Sequence, residues 1–284
     1  MVARSGATRD TDRVQFAVNS PPHAEPAALV DLGVAAERAG WDAFFLWDHM
    51  VVDPEGVEIV DPWVTLGAIA ARTERIRLGT CVTPLARRRP QNIARETATL
   101  DRLSGGRLVL GVGLGHPEAE YTTFGEDADA RRLAARLDEA LTVVSGLWSG
   151  EAFEHDGANF HVERVRFLPT PVQRPRPPVW VACMLPFRRG LVRAARWDGV
   201  VPIKVGRDGV EFMTPDEVVS IVDDIRQRRG SLDQFDVVVN AGPPPTKSVA
   251  EFESAGATWW MASMGVFPGW LDELRAIVDA GPPR

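Results

Sequence analysis

Prolines open and glycines close a repeated strand–helix unit along this chain, and that rhythm leaves few folds available. Short apolar, β-branched runs end in polar or Gly-rich loops. A Pro follows near the start of an amphipathic segment, and Gly or Asp-Gly stops that segment before the next apolar run. The first pass predicts a strand over 14–19 and a helix over 26–39 that begins at Pro26 and stops at Gly40. The second predicts a strand over 43–47 and a helix opened by Asp61-Pro62, with Asp as N-cap and Pro in the first turn, where its missing N–H costs nothing. A third strand over 76–82 leads to a helix over 90–103 closed by Gly105-Gly106. A fourth over 107–112 is followed by Leu133, Leu137, Leu141 and Val144, spaced for one helix face.

Four more strands are predicted at 179–184, 199–203, 235–240 and 258–264, with short helices over 188–196 and 248–253. Thr214-Pro215-Asp216-Glu217 is a capping box ahead of the apolar face Val218, Ile221, Val222 and Ile225. Leu271, Leu274, Ile277 and Val278 mark the last helix. The strands read as continuous apolar runs, as in a parallel sheet buried on both faces. Eight βα units in 284 residues predict an α/β fold, one closed (β/α)8 TIM barrel spanning the chain as a single domain. An open doubly wound sheet begins on a Gly-rich first turn, whereas here that turn is Asn19-Ser20-Pro21-Pro22. Residues 149–178 break the rhythm, with a hairpin around Asp156-Gly157 and then a Pro-rich stretch. They read as an insertion packing over the barrel. Phe153, Phe160 and Phe167 either line an apolar lid there or tuck in the hairpin's own face.

Hydrophobic residues make up 45% and charged residues 25%, with a net charge of −7, so neither nucleic acid nor an anionic membrane is expected as a general partner. No apolar run approaches the ~20 residues that span a bilayer. The stretch from Met1 to Arg13 lacks the apolar core of a signal peptide, and two cysteines cannot form a disulfide scaffold. A cytoplasmic protein acting on a small molecule is the expectation.

A barrel carries its chemistry on the loops that follow its strands. These loops hold Asn19-Ser20, Trp47-Asp48-His49, Cys81-Val82-Thr83-Pro84, residues 111–116, residues 182–186, Pro202-Ile203-Lys204, Asn240-Ala241-Gly242 and Ser263-Met264-Gly265. Few acids, His49 and His116 as the titratable imidazoles, and much bare backbone suit a planar, hydrogen-bonding ligand. A metal-dependent hydrolase would draw on Asp48, His49, Asp53 and His116, but it lacks a His-x-His pair on the first strand, so no metal site is predicted.

Leu78-Gly79-Thr80-Cys81-Val82-Thr83-Pro84, the run from Asn92 through Leu100-Asp101-Arg102-Leu103-Ser104-Gly105-Gly106-Arg107-Leu108, and Gly111-Val112-Gly113 together resemble the bacterial luciferase-like superfamily. Trp47-Asp48-His49, Gln173-Arg174-Pro175-Arg176-Pro177-Pro178 and Trp197-Asp198-Gly199 extend the resemblance over most of the chain. The resemblance implies an oxidoreductase with F420 or FMN as cofactor, moving a hydride with F420 or oxygenating with reduced FMN, and a homodimer. A non-catalytic flavin-binding barrel of the same fold is the alternative.

It also implies a non-prolyl cis peptide at Cys81–Val82 whose bulge supports one face of the cofactor ring. Cofactor contacts are expected from Asn19, Asp48, Cys81, Val82 and Thr83. Gly113, Leu114 and Gly115 would let the cofactor approach the backbone. Met184, Leu185, Pro186 and Phe187, with the helix start that follows, would take its phosphate. His49 is the catalytic candidate, handling a proton as a hydride moves. The superfamily's F420-dependent sugar dehydrogenases have a Trp four residues beyond that His and a Glu after strand four. This chain has Asp53 and His116 there, which argues against sugar-phosphate oxidation and makes His116 a secondary acid–base candidate. Arg87-Arg88-Arg89 is a candidate partner for the anionic tail of F420.

Overall fold

The computed structural model describes residues 13–52, 56–116, 118–206, 209–240 and 248–283. Asp53, Ala241, Gly242 and the stretch before Arg13, named above, lie outside them. In chain order the first half comprises β1 (Gln15–Ser20), α1 (Pro26–Ala39), β2 (Ala43–Leu46), α2 (Pro62–Arg72), β3 (Arg77–Pro84), α3 (Pro90–Ser104), β4 (Leu108–Gly113), α4 (Ala119–Thr122) and α5 (Ala130–Trp148). The hairpin β5 (Ala152–Asp156) and β6 (His161–Arg166) follows. The second half comprises β7 (Val179–Leu185), α6 (Arg189–Ala194), β8 (Gly199–Gly206), β9 (Gly209–Glu211), α7 (Pro215–Arg229), β10 (Asp236–Asn240), α8 (Val249–Ser254), β11 (Trp259–Ser263) and α9 (Trp270–Ala280).

Strands β1, β2, β3, β4, β7, β8, β10 and β11 pair in that order, each parallel to the next, and β11 returns to β1. This is the closed (β/α)8 TIM barrel that the eight passes predict. Two pieces were not legible in the rhythm: the single-turn α4, and β9, which lies antiparallel on β8.

The punctuation works locally as read. Pro26, Pro62, Pro90 and Pro215 each stand in a first helical turn, and the Asp61 carboxylate accepts the Val64 N–H at 2.8 Å. Gly40 and Gly105 close α1 and α3 at φ +92° and +70°, the left-handed region where a Cβ is costly. The Thr214–Glu217 capping box is present.

Side chains alternate between the two faces of each strand. Val18, Phe44, Leu78, Leu110, Val181 and Trp260 point outward and pack beneath the helices. Ala17, Phe45, Val109, Trp180, Val238 and Trp259 fill the barrel itself. The adjacent Trp259 and Trp260 thus face opposite ways, as their positions require. Low in the barrel, Asp236 accepts from the indole N–H of Trp180 at 2.9 Å and of Trp259 at 3.0 Å. Both rings are therefore pinned, and the N-terminal end is plugged.

Much of the family-like text turns out to be mechanical. Buried Arg107 donates to the carbonyls of Ala70, Thr73, Ile76 and Ser104, satisfying the end of α2. Asp101, fully buried, accepts from the backbone N–H of Val172 and Gln173 and from the Gln173 side chain. That fastens the Pro-rich stretch under β4, where Gln173 also donates to the Leu108 carbonyl. The β5–β6 hairpin sits on α5. Glu139 accepts from Asn159 and Phe160 N–H, and Phe153 lies so close to Gly146 that a Cβ there would be 2.1 Å from its ring. The hairpin therefore tucks in its own aromatic face, and Phe167 lies beneath Arg95, 3.9 Å from guanidinium carbon to ring centroid.

Candidate active site at the C-terminal mouth of the barrel

One step above the interior cluster, each strand places its next inward residue at the open end. Asn19 follows Ala17, Asn240 follows Val238, Ser263 follows Met261, and Ala182 and Met184 follow Trp180. The floor is small and polar where the lower barrel is aromatic. The amide oxygens of Asn19 and Asn240 are buried and have no hydrogen-bond partner. Left unpaired, such groups cost about 1–3 kcal/mol each, so the floor is built to receive a ligand with polar edges.

The peptide Cys81–Val82 is cis, and the β3–β4 register shifts across it, between Thr80 and Thr83. Thr80 and Thr83 hydroxyls bond to each other across the bulge at 2.9 Å. Gly111 and Gly113 make room for it: a Cβ on Gly113 would stand 2.8 Å from a Val82 methyl. Glycine at 113 thus accommodates the bulge itself. Gly115, at φ +91°, turns the chain against Pro84 and Tyr121, and the Tyr121 hydroxyl donates to the Leu114 carbonyl. Burial raises the Cys81 thiol to about 12 and Cys183 to about 11, so neither is a thiolate nucleophile.

Beside the bulge lies a buried ionic network. Thr83 donates to Asp48 at 2.7 Å, and Arg88 donates to the other Asp48 oxygen at 2.7 Å. Arg87 reaches Glu120 at 2.7 Å and the Asp48 carbonyl at 3.2 Å. Glu120, its side chain wholly buried, accepts from the Met50 N–H at 2.6 Å and the Val51 N–H at 3.2 Å. Burial alone would raise its pKa, but His49, the Met50 N–H and Arg87 outweigh burial and lower it to about 2. Glu120 is therefore a carboxylate and only accepts. His49 Nδ1, 3.1 Å away, must carry its proton on that side, which leaves Nε2 outside this contact.

The structure thus brings Asp48, His49 and Thr83 together around the Cys81–Val82 bulge, with Asn19 in the floor. The functional groups of Asp48 and Thr83 are used within the protein, so these residues position the loop. His116 is exposed, outside the Glu120–His49 contact. Leu114 and Gly115 form the turn after β4. Met184 is exposed near the end of β7 and Phe187, by 68%, on the loop that follows, and the Leu185–Pro186 bond is cis. The arginine run is corrected: Arg87 and Arg88 turn inward to Glu120 and Asp48, and of the three Arg89 alone is exposed. A buried carboxylate pair holds such guanidinium groups better than a solvated tail would.

Sequence reading missed Glu120, and Asn240 as a floor residue. Glu120 sits among acidic residues that resemble a solvated helix face, and only the return of α4 beneath the β2–α2 loop buries it. Among the described residues no group of three or more His, Cys, Asp or Glu is placed to hold a metal ion, and no helix is long and apolar enough to cross a membrane.

Known proteins resemble this chain in sequence and in fold. The chain is 40% identical over 153 residues to an F420-dependent glucose-6-phosphate dehydrogenase of Microbacterium testaceum, covering 52% of this chain and 45% of that protein. It is 33% identical over 208 residues to a phthiodiolone/phenolphthiodiolone dimycocerosates ketoreductase of Mycobacterium kansasii, covering 66% of this chain and 55% of that one. The chain spans about half the length of the curated relatives it matches. The coenzyme F420-dependent tetrahydromethanopterin reductase of Methanopyrus kandleri superimposes with a TM-score of 0.75 at 17% identity, covering 95% of this chain and 98% of the other, which shows the shared barrel. Residues 7–279 match the luciferase-like monooxygenase family, and the chain is a member of that family.

Proposed function

We propose that the protein is an F420-dependent oxidoreductase that moves a hydride between the cofactor and a small, uncharged organic carbonyl or alcohol. The observation that carries this reading is His49, at the C-terminal end of β2 in the network beside the bulge, whose Nδ1 lies 3.1 Å from the Glu120 carboxylate and whose other ring nitrogen takes no part in that contact. The bound deazaflavin supplies the hydride chemistry. Asn19 and Asn240, with their unpartnered amide oxygens, would hold its polar edge, Val82 would lie under the ring, and the segment from Met184 to Phe187 would hold the chain that carries its phosphate. His49 would take the proton from an alcohol oxygen, or return it to a carbonyl oxygen.

An uncharged substrate is supported by the charges around the mouth. Arg87 and Arg88 are paired inward, and Lys204 is paired with Glu211 and Glu217 at 3.4 and 2.9 Å. Met50, Met184, Phe187, Phe212 and Phe267 expose apolar surface on the same loops. A sugar phosphate would need cations free of such pairs, and these three are paired; an apolar ketone or alcohol suits this rim. Titration with F420, FMN and reduced FMN, followed by fluorescence, tests the cofactor. Binding of F420 supports the reading, preference for reduced FMN with O2 consumption shifts it to monooxygenation, and binding of none removes it. The resemblance further supports a cytoplasmic homodimer working as one barrel domain on small molecules rather than nucleic acid; light scattering that gives a monomer would remove the dimer.

A further inference from the structure

We propose that Trp47 is the positioning residue for His49, fixing the plane of its imidazole so that the nitrogen outside the Glu120 contact meets the substrate oxygen from one direction. This rests on the oxidoreductase reading above and adds a residue to it. The chain has nine tryptophans. Among the described residues the other eight belong to the two apolar clusters or pack against them, and Trp47 is in neither. Its ring lies instead against His49, with centroids 5.7 Å apart and planes at 76°. That separation and edge-on tilt are those at which aromatic rings attract. A half-buried tryptophan that serves no core is placed for the imidazole it touches.

The backbone on both sides of His49 is already fixed. Trp47 N–H donates to the Ser20 carbonyl at 3.1 Å, the Asp48 carbonyl accepts from Arg87 at 3.2 Å, and Met50 N–H donates to Glu120 at 2.6 Å. What remains free is rotation of the His49 side chain. Glu120 holds one atom of the ring, Nδ1, at 3.1 Å, and a ring held at one atom still swings about that contact. The side chain is 25% exposed, so close packing does not stop the swing. The Trp47 ring supplies the second contact, and the two together leave the imidazole one orientation. In the oxidative direction the alcohol oxygen loses its proton to this ring as the carbon loses its hydrogen with both bonding electrons to the cofactor. The reductive direction returns both. Either transfer needs the ring nitrogen in line with the oxygen, and a misplacement of about 1 Å can cost about a hundredfold in rate.

The ring is read first by NMR of the protein without cofactor, at a pH where the imidazole is neutral and its nitrogen shifts tell the two tautomers apart. His49 should show one tautomer, protonated at Nδ1. W47L and W47M, which fill space without a ring, should show a mixture, and W47F, which keeps a ring, should return it to one. Trp47 lies outside the core clusters, so these chains should fold, as urea midpoints will show. With cofactor and a ketone or alcohol, W47L and W47M should lower kcat about tenfold or more with KM little changed, and W47F should recover most of the loss. A tautomer mixture in the unaltered chain, a single Nδ1 tautomer in W47L and W47M, a KM that rises while kcat holds, or a W47F no better than W47L would each overturn the proposal. A chain that binds neither F420 nor FMN fails the broader reading instead, and the tautomer is read without either, so the two failures are told apart.

Discussion

The two sides of the barrel mouth are built on opposite principles. On the β2–β4 side one largely buried network pairs its charges: Thr83 with Asp48, Asp48 with Arg88, Arg87 with Glu120, and Glu120 with the backbone of residues 50 and 51. On the side of β7, β8 and β11, the loops expose Met184, Val205, Phe212 and Phe267, and Lys204 forms its ion pairs near the surface. The first side has one arrangement, because each group that moves leaves a buried partner unsatisfied. The second side tolerates change, because exposed apolar residues lose little when replaced. Chemistry that needs a fixed histidine belongs on the first; substrate selection belongs on the second.

Glu120→Ala attacks the rigid side at its centre. It strands the Arg87 charge and two loop N–H groups, and about 3–5 kcal/mol of stability should be lost, read as a lower urea midpoint. Activity should fall with it, since His49 loses its anchor. The same residue sets an acid limit. Its pKa is depressed in the folded state, from 4.5 to about 2, so its contribution is fully present above pH 4.5 and is lost as the pH falls towards 2. Glu120→Ala should flatten that part of the stability curve; an unchanged slope would show that the network does not act through this carboxylate.

Asp48→Asn is a gentler cut, keeping an acceptor for Thr83 while weakening the partner of Arg88. A loss of about 1–3 kcal/mol is expected, again by denaturant titration. Met184→Ala with Phe187→Ala tests the other side. Stability should stay within about 0.5 kcal/mol, while ligand affinity weakens by about 1–2 kcal/mol, the worth of partly burying an apolar side chain. A stability loss as large as that of Glu120→Ala would erase the contrast between the two sides.

The rigid side was only partly legible in the sequence. Asp48, His49 and the Cys81–Val82 bulge were readable because they are contiguous and fall at strand ends, where a barrel must carry its site. Arg87 and Arg88 read as a basic run free for a ligand, because a run carries no sign of the carboxylates that fold onto it. Glu120 was invisible for the same reason: its partner His49 is 71 residues away, and only closure of the barrel brings the two near. Gly113 was read as leaving space for the cofactor, yet its missing Cβ makes room for Val82, a contact between neighbouring strands.

What the sequence alone determined is the barrel: the Pro and Gly punctuation and the apolar runs act within a few residues, so local sterics and hydrogen bonding are enough to write eight strand–helix units. What only the tertiary structure decided is which polar groups are left without partners. Asp101 and Arg107 prove to be fastenings, Arg87 and Arg88 become part of the site's frame, and Asn19 and Asn240 remain open at its floor. Burial and pairing are properties of the closed sheet rather than of any segment, because a buried polar group is stabilised or left exposed to a ligand only by what the rest of the chain places around it.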